Sequence, residues 1–232
     1  MTISKYIKFH LNGYLRRRAY YLYCVVIYFL LAFVDDSNLW IDHYDEYVNR
    51  CADQQIVICI ALVFVIIMVI SEEYLEIYKN LFCIYIQNPG GYFGTMAVST
   101  IIANVVPFIL GQIVFLILNA IVTGFMPWEL VFSNILIVIM EIISLVLFSI
   151  GLFLIYQKLI LVVFMFIFTT LLSAILSSSY ISIPLIASIT KVTSGGYYTF
   201  PISLWVGRIL IISICLLFFY IAIKRFTSKQ NT

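Results

Sequence analysis

The feature that most constrains this chain is its succession of long apolar runs separated by short charged segments. The runs fall at about residues 19–34, 56–70, 96–124, 130–156, 159–176 and 202–223. A soluble domain of 232 residues needs a charged surface, yet only 10% of this chain is Asp, Glu, Lys or Arg, and 64% is hydrophobic. The solvent is therefore lipid. Hydrocarbon offers no water to satisfy backbone N–H and C=O groups, so each run must satisfy them internally as a helix. A crossing takes about 20 residues. The expected fold is an all-α integral membrane domain of six transmembrane helices covering residues 1–232.

The segments between the runs carry distinct signals. Residues 1–18 repeat Ile3, Tyr6, Ile7, Leu11, Tyr14 and Leu15 at helical spacing, with Lys5, Lys8 and Arg16 to Arg18 elsewhere. That pattern predicts an amphipathic helix lying in the membrane interface, against the alternative of a frayed basic tail. The first apolar run has no small-residue cleavage site and is expected to be a span rather than a leader. Residues 35–55 hold Asp35, Asp36, Asp42, Asp45, Glu46 and Asp53 against one base, Arg50. Pro107 is expected to bend the third span. Residues 124–128 predict a tight turn, and Gln157 with Lys158 predicts the next. Residues 177–201 are rich in Ser, Thr, Gly and Tyr, and include a short apolar patch at 181–189. This region reads either as a re-entrant or surface-lying pair of short helices or as an ordinary long loop.

With the N-terminus inside, the inner side holds Lys5, Lys8, Arg16, Arg17, Arg18, Lys79, Lys158, Lys224, Arg225 and Lys229. The outer side or its boundary then holds Arg50, Lys191 and Arg208. Ten basic residues against three is a positive-inside pattern, with both termini cytoplasmic. The five cysteines (Cys24, Cys51, Cys59, Cys83, Cys215) form no CxxC pair and read mainly as small apolar residues. The two histidines, His10 and His43, fall on opposite sides, which removes a two-histidine metal site and most hydrolase arrangements. The pair Glu72-Glu73 lacks the arginine and intramembrane histidines of a CAAX-type protease. No GxxxxGK[ST] loop is present, so ATP hydrolysis is not expected from this chain alone.

The stretch 71–95, SEEYLEIYKNLFCIYIQNPGGYFGT, stands apart as a charged, aromatic-rich segment between two spans. Its Asn88-Pro89-Gly90-Gly91 reads as a helix stop. A helix that docks a soluble partner needs exposed aromatic anchors ringed by charge. Tyr78, Phe82 and Tyr85 supply the anchors, with Glu72, Glu73, Glu76, Lys79 and Asn80 around them. The carboxylates could instead complement the dipole of the helix N-terminus, and the tyrosines could sit in headgroups.

Glu76 and Pro89 are thirteen residues apart, with Asn80-Leu81-Phe82 between them. This arrangement resembles the membrane subunits of type-2 ABC exporters. That family shows a glutamate, a Gly-Thr or Gly-Asn and Leu-rich stretch, and a proline in this register. At this length the chain looks most like permeases of lantibiotic (bacteriocin) self-immunity transporters. It departs where Gly90-Gly91-Tyr92 replaces the usual Ser-Arg and a later lysine is missing. The resemblance implies an interfacial N-terminal helix, a cytoplasmic coupling helix at 71–95, and a bacterial cytoplasmic membrane location. It also implies a separate cytoplasmic ATPase carrying ATP and magnesium, and a second permease subunit, identical or sister. The expected cargo is an amphipathic peptide or a lipid-like molecule, with no nucleic acid involved. The alternative from another class is the substrate-capturing membrane component of a vitamin uptake system.

Within the spans, Glu141 lies midway along the fourth, where a carboxylate is costly and often functional. Asn134 precedes it by two turns on the same face. Asn104, Gln112 and Asn119 share an arc of about 80° on the third span. These five residues are candidates for a polar substrate route or proton-linked element. The other reading is interhelical hydrogen bonding with Glu141 protonated.

Overall fold

The computed structural model describes residues 3–15, 40, 42–43, 89–126, 128–158, 160–164, 193–194, 197–198 and 202–230. Four helices organise them: α1 (Ile3–Leu15), α2 (Pro89–Thr123), α3 (Trp128–Tyr156) and α4 (Ile202–Gln230). A two-stranded antiparallel pair, β1 (Thr193–Ser194) and β2 (Tyr197–Tyr198), lies before α4. Residues 160–164 are also helical.

Local chemistry sets the helix ends. Pro89 opens α2, where its missing N–H costs nothing and its fixed φ already suits a helix. Pro89, Gly90 and Gly91 form the first turn of α2, and the segment expected to stop at this run lies outside the described residues. The helix begins seven residues before Met96, the expected start of the third span. Pro107 sits inside the continuous helix. Gly124 ends α2 at φ 71°, a left-handed conformation that glycine adopts without cost, and its N–H reaches the Ala120 carbonyl at 3.0 Å. Gln157 does the same for α3 at φ 54°, donating to Phe153 O at 2.7 Å. Both expected turns are therefore present. At the far end α4 continues to Gln230, past the expected end of the sixth span at Ile223.

Three of these helices, Gly90–Thr123, Val131–Tyr156 and Trp205–Ser228, are long and apolar enough to cross a membrane. The outer surface accords with a lipid setting, because it is lined with large apolar side chains. On α2, Val98, Ile102, Val106, Leu110, Ile113, Ile117 and Ile121 are exposed in one stripe at three- and four-residue spacing. The opposite face buries Thr95, Ser99, Thr100, Asn104, Gln112 and Asn119. Large apolar groups face outward and polar groups face inward. That arrangement is stable only where the surroundings are hydrocarbon. The protein is a membrane-embedded helical protein.

The bundle has a defined register. Glu141, Phe148 and Gly151 of α3 meet Arg208 and Phe218 of α4 in ascending order, so the two helices run parallel. The turn at 124–127 makes α2 antiparallel to α3. Phe93 near the start of α2 therefore meets Phe226 near the end of α4, with ring centroids 5.2 Å apart. Counting residues at 1.5 Å rise, α4 starts about 6–10 Å deeper than α3 and overshoots it at the other end. α3 is the most enclosed span and α4 the least. The core joins Val138, Ile142, Leu145, Val146, Ile150 and Leu154 of α3 to residues of α2 and α4.

The end at which α2 begins and α3 and α4 finish also receives α1, which packs on α2. Exposed Lys5, Lys8, Lys158, Lys224 and Arg225 all lie at that end. Within the region 177–201, the expectation named helices or a loop and not a hairpin. Thr193 pairs with Tyr198 and Ser194 with Tyr197. The sequence signal was the Gly195-Gly196 dipeptide between two β-favouring Tyr and Thr pairs. The patch 181–189, the expected first two spans, most of the acidic segment and the rest of the expected fifth span lie outside the described residues.

Candidate functional site

The site is built where α3 and α4 cross at Glu141 and Arg208. Glu141 lies about 20 Å along α3 from Trp128, and its residue is 2% exposed, as is Arg208. The Arg208 Nη2 donates to Glu141 Oε1 in a buried ion pair. Two charges taken out of water cost several kcal/mol each, and only a paired, hydrogen-bonded geometry offsets that. Arginine stays cationic in proteins and supplies a planar fork of donors, so it complements the carboxylate form of Glu141. The pair is an interhelical hydrogen bond between α3 and α4, the kind of contact expected for a buried carboxyl in a span. Arg208, assigned by sequence to the outer boundary, is an intramembrane residue, because the deep start of α4 brings it level with mid-α3.

The pair does not exhaust the polar capacity of the site. Glu141 Oε2 has no hydrogen-bond partner, and neither atom of the fully buried Asn134 amide has one. Ser144 Oγ donates to the Glu141 carbonyl at 2.9 Å, and Ser149 Oγ to Leu145 O at 2.6 Å. These hydroxyls are satisfied within their own helix.

The α2 amides divide. Asn104 Nδ2 donates to Thr100 O at 2.7 Å, a bond within one helix, as Ser99 and Thr100 bond to Thr95 O and Met96 O. Asn119 Nδ2 donates to Phe125 O at 3.1 Å and to Thr123 Oγ1 at 3.3 Å. Thr123 Oγ1 in turn donates to Asn119 O and accepts from Phe125 N–H. Asn104 therefore makes an intrahelical bond, and Asn119 organises the end of α2 and its turn. Gln112 is buried on the same α2 face. Counted from the turn, it lies near the level of Glu141, while Asn119 lies near that of Asn134.

A second cluster occupies the basic end. His10 of α1 is 2% exposed, with its ring edge-on to Tyr92 at 4.8 Å between centroids. Tyr92 contacts Phe93, and Phe93 contacts Phe226. Four rings thus connect α1, the first turn of α2 and the end of α4. The sequence reading left His10 out of the apolar face of α1, although it falls three residues after Ile7 and beside Leu11. Its helical spacing was the available signal.

Burial lowers the His10 pKa from 6.5 to about 4. The neutral ring is the docked form. Stability from this contact is fully present above pH 6.5 and is lost as pH falls from 6.5 toward 4. The slope approaches about 1.4 kcal/mol per pH unit for one proton. Thermal unfolding in detergent at pH 7.5 and at pH 4.5 should show a larger acid destabilisation for the wild type than for His10→Phe. Equal losses in the two proteins would contradict this role.

Of the remaining candidates, Glu72, Glu73, Glu76, Tyr78, Lys79, Asn80, Phe82 and Tyr85 lie outside the described residues. Pro89 is the first residue of α2. Comparison of the chain with family models, with curated proteins and with solved structures finds no match.

Proposed function

We propose that this chain is the permease subunit of an ATP-driven exporter, with six spans and both termini cytoplasmic. A separate ATPase would dock on the segment that precedes α2. The observation that carries this reading is the seating of α2's first turn. Tyr92 and Phe93 are packed between His10 of α1 and Phe226 of α4. Any force applied to residues 71–88 enters the bundle at Pro89, and that turn cannot shift without moving the interfacial helix and the last span. A partner's displacement would thereby bias two packings of the bundle. The basic end would face the cytoplasm by the positive-inside rule. The parallel α3 and α4 also support a further crossing between them, in keeping with a fifth span. Glu141 and Arg208 would tie α3 to α4, and Asn134 would contribute a polar group toward the opposite end.

In this reading two permease subunits, the same or sister chains, form a pathway for an amphipathic peptide or lipid-like cargo. ATP and magnesium stay on the partner. The test is co-purification in mild detergent from the native host, comparing wild type with a Tyr78/Phe82/Tyr85→Ala variant. A soluble ATPase should accompany the wild type and be lost from the variant. If no ATPase accompanies either, the permease reading fails, and tight binding of a small molecule by the isolated chain would favour the uptake component.

A further inference from the structure

Three features at the basic end bear on what it meets. First, α1 is docked through His10, with Ile7 and Leu11 partly covered, so its opposite face is turned outward. That outward face carries Lys5, Lys8 and Asn12, all exposed, edged by Phe9 at 41% and Leu15 at 49% exposure. Second, α4 continues through its last turns with Lys224 and Arg225 exposed while Phe226 stays buried against Phe93. Third, the ring series from His10 through Tyr92 and Phe93 to Phe226 fixes these two cationic pairs on either side of one α2 turn.

We propose that Lys5 and Lys8 of α1, with Lys224 and Arg225 of α4, form a binding surface for anionic phospholipid headgroups. The lipid would hold α1 against the start of α2. Cations alone would suit an acidic protein equally well. The exposed Phe9 and Leu15 beside them favour lipid, because a face that shows both positive charge and large apolar side chains matches the boundary between headgroups and acyl chains. The location agrees, since these residues lie at the end of three membrane-length helices. Attraction to an anionic leaflet contributes on the order of 1 kcal/mol per Lys or Arg, or roughly fivefold in binding. Four such residues can therefore dominate headgroup preference. The inference does not depend on the transport reading.

The experiment uses the full chain purified in a neutral detergent and titrated separately with phosphatidylglycerol, phosphatidylcholine, inorganic phosphate and an acidic (poly-glutamate) peptide. Retained lipid is read by native mass spectrometry. Wild type should retain phosphatidylglycerol at least tenfold better than phosphatidylcholine. A Lys5→Gln/Lys8→Gln/Lys224→Gln/Arg225→Gln variant should lose that preference. The charge-preserving Lys5→Arg/Lys8→Arg/Lys224→Arg variant, which keeps the same net charge, should retain it and guards against misfolding as the cause. Inorganic phosphate should displace little of the bound lipid. Equal retention of the two lipids by wild type would overturn the proposal. So would an unchanged preference in the four-site Gln variant, or full displacement of lipid by phosphate or by an acidic peptide.

Discussion

Glu141→Ala or Arg208→Ala should be the most destabilising single substitutions in the described bundle, each costing about 3–5 kcal/mol. Each removes one half of an ion pair whose two residues are both 2% exposed, and so leaves a buried charge without the partner it has here. Glu141→Gln should act in the same direction, because its amide preserves shape while leaving the Arg208 charge unbalanced. The double variant Glu141→Met/Arg208→Met should recover most of the loss, since a well-packed apolar pair avoids the desolvation cost altogether. Unfolding in detergent by heat or by increasing SDS would measure all four proteins. Wild-type stability in either single Ala variant would show that the pair is not a structural tie.

The second large effect is expected at Gly151. A Cβ placed there would lie 2.8 Å from Phe218 Cε1 and 2.9 Å from Cδ1, with Phe219 Cα at 3.6 Å. The two spans approach closely because this position has no side chain, the usual device where helices pack without a hydrophobic driving force between them. Gly151→Ala should be tolerated with a modest loss, because the Phe218 ring can rotate away. Gly151→Leu cannot be accommodated by that ring alone and meets the α4 backbone, so it should cost at least the 1–3 kcal/mol typical of overpacking. Thermal unfolding in detergent would measure both variants against wild type, with Gly151→Leu losing clearly more than Gly151→Ala. Wild-type stability in Gly151→Leu would show that Gly151 does not set the approach of α3 to α4.

What could be read from the sequence follows from interactions that are local along the chain. Lipid as solvent, helices as the only affordable secondary structure, and the positions of three membrane-length helices are consequences of residue type and run length alone. The turns at Gly124 and Gln157 were equally local, since each needs only a break in the apolar run and a residue that accepts positive φ. Amphipathy placed α1 as a helix, though not His10 on its docked face. The Asn88-Pro89-Gly90-Gly91 run was ambiguous locally, because proline and glycine mark both the end of one helix and the start of the next. The packing of Tyr92 and Phe93 against α1 and α4 seats Pro89, Gly90 and Gly91 as the first turn of α2.

Tertiary structure alone decided the chemistry of the membrane interior. Glu141 and Arg208 are 67 residues apart in sequence. Nothing in either span states the vertical offset of α4 against α3 that brings them together. Sequence distance from a helix end placed Arg208 at the boundary, and the deeper start of α4 moved it beside a carboxylate. Asn104 and Asn119 show the converse. Helical spacing put them on one face with Gln112, but spacing does not say whether an amide reaches a neighbouring helix or bonds to its own backbone. Geometry shows that each makes a local bond, Asn104 to Thr100 O and Asn119 to the turn at Phe125. Residue type dictated the solvent and the helices, and the relative height of those helices dictated which buried charges meet.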